Sequence, residues 1–157
     1  MRRIGLLAGS LLLLLVVAGC GGGGDRTPTP GSASSAPLDT LAAFQTFSGL
    51  SVPASAVDVT LQVTSAFDQP AYRVSFRLPS ADLDAFCRSG RLDIPLRVVT
   101  VPQDYRDTFD YRGDSSTGVA VTSGSLPADP AVQRKLFAVD TSKKTAKVQV
   151  YAFQMPN

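Results

Sequence analysis

The chain contains no histidine, no tryptophan and no glutamate, so all 13 of its acidic residues are aspartates. Without histidine there is no Ser-His or Cys-His nucleophile, and no side chain whose ordinary pKa suits general base catalysis near neutrality. The commonest zinc and copper ligand is missing with it. No Gly-x-Ser-x-Gly elbow, Ser-x-x-Lys pair or phosphate-cradling Gly-Lys-Ser/Thr loop is found either. An enzyme would have to assemble aspartates, tyrosines or serines through its fold. The expectation is a non-enzyme with no catalytic residue, no metal and no diffusible cofactor.

Cysteine is nearly absent too, with Cys20 and Cys87 as the whole complement. Cys20 closes the most informative stretch. Met1-Arg2-Arg3 is followed by an apolar or small-residue run from Ile4 to Ala18, ending in glycines. A spanning helix needs roughly 20 apolar residues. A charged start, a short apolar middle and a small-residue end describe a secretory signal instead. Val17-Ala18-Gly19-Cys20 resembles the lipobox of bacterial lipoproteins. The resemblance implies a diacylglyceryl group on the Cys20 sulfur and cleavage before it, so that 1–19 is a signal peptide and Cys20 is lipidated. The alternative is an ordinary secretory signal with an incidental cysteine. Two acyl chains, at about 0.8 kcal/mol per methylene, supply an insertion free energy on the order of 20 kcal/mol. The expected location is the cell membrane, lipid-anchored, on its extracytoplasmic face.

Removing the signal changes the charge. The precursor carries 15 basic residues and a net charge of +2, but Arg2 and Arg3 leave with the signal. The remainder is balanced at 13 of each sign. No basic run remains in the sequence to argue for nucleic acid or anionic headgroups. Residues 21–37, "GGGGDRTPTPGSASSAP", are too poor in apolar side chains to fold and read as a tether. Such a tether typically reaches roughly 23 Å. Residues 38–157 are expected to form a single globular domain.

Within that domain, "VDVTLQVTS" and "YRVSFRL" alternate with period two. Val57, Val59, Leu61 and Val63 share one face, as do Tyr72, Val74, Phe76 and Leu78, which predicts a half-buried antiparallel hairpin. Asp68-Gln69-Pro70 supplies the turn chemistry. "PSADLDAFCRSG" predicts a helix with Ser80 as N-cap, Asp82 and Asp84 in its first turns, and Gly90 as its stop. Leu83, Phe86 and Cys87 form its inward stripe, making Cys87 a buried small hydrophobe rather than a reactive or dimer-forming thiol. "IPLRVVTV" reads as an edge strand because of Pro95. "TGVAVTSGSL" reads as a strand, and "RKLFAVD" with "TAKVQVYAF" as a second hairpin. "LDTLAAFQTF" is compatible with helical turns or an extended cover. The fold class is α+β: a small antiparallel sheet built from hairpins, with one main helix packed on a face. "FSGLSVPASAVDV" and "FAVDTSKKTAKVQVYAF" resemble segments of small actinobacterial lipoproteins, a resemblance that implies no particular activity.

The most unusual stretch is "PQDYRDTFDYRGDSSTG", residues 102–118. Its Asp104, Asp107, Asp110 and Asp114 offer hard oxygen ligands, yet the spacing lacks the Asp-x-Asp-x-Asp-Gly run and terminal glutamate of a calcium loop. It reads as a solvated hairpin or loop. Asp104, Tyr105, Arg106, Phe109, Tyr111 and Arg112 form its candidate partner surface, since Tyr and Arg are enriched at interface hot spots. The leading expectation is a non-enzymatic interaction or accessory module of the cell envelope with an envelope protein partner. The alternative is a binding protein for a small apolar ligand or envelope component, with the sheet's apolar face as one wall.

Overall fold

The computed structural model describes residues 38–113 and 118–156. Their element order is α1 (Leu41–Ser48), β1 (Val57–Ala66), β2 (Gln69–Pro79), a 3-10 turn (Ser80–Asp82), α2 (Leu83–Ser89), β3 (Leu96–Val98), α3 (Gln103–Phe109), β4 (Val119–Leu126), β5 (Asp129–Val139) and β6 (Thr145–Gln154). The strands form one antiparallel sheet in the order β1-β2-β6-β5-β4-β3. The class is α+β. Instead of one main helix on one face, three short helices divide between the two faces.

Strand alternation sets that division. Tyr72, Val74, Phe76 and Leu78 on β2 stand beside Ala152, Val150, Val148 and Ala146 on β6. Leu136 and Ala138 on β5 continue this inner face. Phe44 of α1 and Leu83, Phe86 and Cys87 of α2 complete its core. Phe137 lies between Leu136 and Ala138 and so points the other way. It belongs to a second cluster with Val119, Val121, Tyr105 and Phe109, where α3 covers the outer face over β4 and β5.

The two C-terminal strands pair as their periodicity predicts, and Cys87 is fully buried. Other details differ. The first hairpin turns at Phe67-Asp68, because Ala66 already pairs with Gln69. Both turn residues have positive φ, 53° and 61°, which matches the twist of a two-residue hairpin. β1 is not half-buried: Val57, Val59 and Val63 are exposed and Leu61 is partly buried, since β1 is the sheet's edge and the helical layer is centred on β2 and β6. Nor do the four share one face: an irregularity at Asp58, with φ 55°, sets Val57 opposite outward-facing Arg77 while Leu61 and Val63 pair with Val74 and Tyr72 of the inner face. Ser80 does not cap α2. It opens the 3-10 turn, and its buried hydroxyl has no hydrogen-bond partner among the described residues. Within 94–101, pairing is confined to Leu96–Val98.

Two glycines allow the helix ends to meet the sheet. Gly49 ends α1 in the left-handed region, at φ 66°. Gly90 ends α2, where a Cβ would lie 2.0 Å from the Leu50 side chain. Arg134 reaches from β5 into this junction. It is 1% exposed and meets no carboxylate among the described residues; it donates instead to backbone carbonyls of Ser48, Gly90, Arg91, Gly124 and Ser125. Burial lowers its pKa.

Candidate functional site

The 102–118 stretch contains a helix where a loop was expected. The backbone N–H groups of Tyr105 and Arg106 donate to the Pro102 carbonyl, and the segment leaves the helix at Asp110, with φ 45°. Spacing of four puts Tyr105 and Phe109 on one helical face. That face is buried. Phe109 stacks on Phe137 at 5.4 Å, and Tyr111 meets the same ring edge-on at 4.9 Å. Tyr105 and Phe109 therefore leave the candidate partner surface, because removing them from water is what docks α3 on the sheet. Burial raises the Tyr105 pKa; a hydrogen bond with Ser123 opposes this and the Asp104 charge adds to it.

The polar members remain accessible. Asp104 pairs with Lys135 at 3.2 Å, and Arg112 with Asp110 at 2.9 Å. Arg106 donates to the Val101 carbonyl and lies over the Tyr111 ring at 5.7 Å. An open hollow of about 430 Å³ runs between Gln103, Arg106, Asp107, Asp110 and Arg112. Among the described residues no group of three or more His, Cys, Asp or Glu side chains could hold a metal ion. Asp114 and Cys20 lie outside the described residues.

A feature not singled out in the sequence lies beside α3. Among the described residues no helix covers the outer face over β1 and β2 as α3 covers it over β4 and β5, and on β6 Tyr151 packs against the edge of the α3 cluster. Sheet register sets Gln62 beside Arg73 and Arg73 beside Tyr151. The next row holds Thr60, Ser75 and Gln149; in the row after it, Arg77 stands opposite Lys147. The Arg73 guanidinium is 5.7 Å from the Phe109 ring centre and 5.1 Å from that of Tyr151. The alternation "RVSFR" puts Arg73 and Arg77 on one polar face, and "KVQVY" puts Lys147 on that of its own strand. Their meeting depends on β2 pairing with β6, which is remote in sequence.

Two further places have an apolar lining. Leu38, Ala42, Ala43, Phe47 and Tyr72 line an open hollow of about 410 Å³ beside α1. Another, of about 500 Å³, lies along the β3 edge by Ile94, Leu96, Tyr105 and Val121. Cys87 is sealed from both by its place on the inward face of α2. Burial and the Asp84 charge push its pKa to about 12, with Arg88 opposing, so the thiol is protonated and a weak nucleophile at neutral pH. No helix among the described residues is long and apolar enough to cross a membrane.

No family model, curated protein or solved structure matches this chain.

Proposed function

We propose that the chain is a membrane-anchored extracytoplasmic lipoprotein, acting as a non-enzymatic interaction or accessory module of the cell envelope. The anchor reading rests on Val17-Ala18-Gly19-Cys20 and the Gly/Pro/Ser tether that follows it. For interaction, the observation that carries the reading is β1. This ten-residue strand closes one edge of the sheet with Val57, Val59 and Val63 exposed, a surface suited to strand addition by a partner. A lipid anchor keeps that edge within tether reach of other membrane proteins and raises their effective concentration. The apolar hollow by Phe47 and Tyr72 favours a second reading, capture of a small apolar ligand.

The test is crosslinking in intact cells followed by mass spectrometry, on wild type and Cys20→Ala. The expected result is a specific envelope protein crosslinked to the wild type and lost from the variant, which is released from the membrane. A variant held as firmly as wild type overturns the anchor. An anchored wild type with no specific crosslink overturns the partner reading and leaves the apolar ligand.

A further inference from the structure

We propose that the uncovered half of the outer sheet face binds an acidic polysaccharide, with Arg73, Arg77 and Lys147 meeting its carboxylates. Arg73 is the centre of the site. Its guanidinium lies between Phe109 and Tyr151, and it makes no hydrogen bond or ion pair among the described residues. Two ring contacts reduce its rotamer freedom before any ligand arrives, while its planar fork of donors stays available for a carboxylate. Across the face, Arg77 and Lys147 stand directly opposite each other, an arrangement that repels. Asp58 lies 3.5 Å from Arg77 and offsets part of one charge, while Lys147 has no ion pair among the described residues. A bound anion relieves that repulsion.

The rows between the cations match a sugar chain. Arg73 and Arg77 are four residues apart on one strand, about 13 Å along it. Ser75 lies between them, flanked by Thr60 and Gln149 in register. These are neutral hydroxyl and amide groups, suited to the hydroxyls of sugars lying between charged positions. An anionic membrane fits less well, because Thr60, Ser75 and Gln149 between the cations are polar, and the exposed apolar side chains Val57, opposite Arg77, and Phe67, against Phe153, lie at the two ends of the face. An acidic peptide added as a strand needs a free edge, and this site spans a face. The choice of a polysaccharide rests on the extracytoplasmic reading above; the arrangement of cations does not.

The test uses the full chain in non-ionic micelles, with polygalacturonate as the charged polymer and dextran as its neutral counterpart. Polygalacturonate is expected to bind and dextran not to. Arg73→Gln is expected to weaken binding about tenfold, the size of one charge-assisted contact. The exposed pair Arg77→Gln/Lys147→Gln is expected to weaken it at least as much, and keeps the test open if Arg73→Gln loosens α3. Lys144→Gln removes one charge from the β5–β6 turn and is expected to bind as wild type. Cys20→Ala is also expected to bind as wild type, so anchoring and polymer binding fail separately. The proposal is overturned by absent binding, by equal binding of dextran, or by an equal loss in Lys144→Gln. Stronger binding to polyglutamate or to anionic vesicles than to polygalacturonate overturns it as well.

Discussion

The Arg134 guanidinium donates to the Gly90 carbonyl at 2.7 Å, tying β5 to the end of α2. The same nitrogen reaches Ser48 at the end of α1, so one side chain joins two helix ends to the sheet. Both helix ends carry carbonyls without intrahelical partners, and the cation faces the negative end of each helix. Replacing Arg134 with Met keeps much of the side-chain volume and leaves these carbonyls unsatisfied. Arg134→Met is expected to lower unfolding stability by about 3 kcal/mol, read from the shift in a urea midpoint. An undiminished midpoint would show that the carbonyls find other partners.

Cys87 makes stability depend on alkaline pH. Its pKa rises from an ordinary 9.0 to about 12 in the folded chain. Between those values the unfolded thiol has lost its proton and the folded thiol keeps it. Stability is therefore full below pH 9 and falls as pH rises towards 12, by up to about 1.4 kcal/mol per pH unit from this group. Urea unfolding at pH 8 and pH 10 is expected to show the loss. Cys87→Ala is expected to remove most of it, and an unchanged slope in that variant would assign the loss to Tyr72 and Tyr105, whose pKa values burial also raises.

Phe67-Asp68 occupies a turn that favours glycine. Both residues hold positive φ, where an ordinary side chain meets its own backbone. Asp68→Gly is expected to stabilise the chain by about 0.5 kcal/mol, after the greater entropy of glycine in the unfolded state is set against the relieved strain. A raised thermal midpoint with an unchanged far-UV spectrum checks it.

α3 divides into a structural face and a solvated one. Phe109 is buried between Tyr105 and Phe137, so Phe109→Ala is expected to cost about 3 kcal/mol and to free the helix from the sheet. Arg112 pairs with Asp110 in solvent, and Arg112→Ala is expected to change stability by less than about 0.5 kcal/mol. Hydrogen exchange of the 103–109 amides distinguishes the two, with loss of protection in Phe109→Ala alone.

Local pattern is enough for the elements whose cause is local. Alternation along 72–78 and 145–153 shows in the sequence which side chains face inward, and the spacing of Leu83, Phe86 and Cys87 shows the inward stripe of α2. Each reflects the fixed geometry of one strand or one helix. The lipobox reading is local as well, resting on residues 17–20 and on the charged start and apolar run just before them. The candidate partner surface was legible only in part: Asp104, Arg106, Tyr111 and Arg112 remain accessible, but the aromatic spacing of Tyr105 and Phe109 was a core signal inside a polar segment.

What tertiary structure decided was exposure and company. β1 has a core strand's alternation and stands at the edge, because burial depends on what packs against a strand as well as on its own pattern. The balanced charge of the chain after residue 19 predicts no basic surface. Pairing of β2 with β6 nevertheless brings Arg73, Arg77 and Lys147 to one face, where Asp58 meets Arg77 alone, while Asp104 pairs with Lys135 and Asp110 with Arg112. Net charge is a sum over residues and survives any fold. Where that charge gathers is set by contacts between residues far apart in the chain.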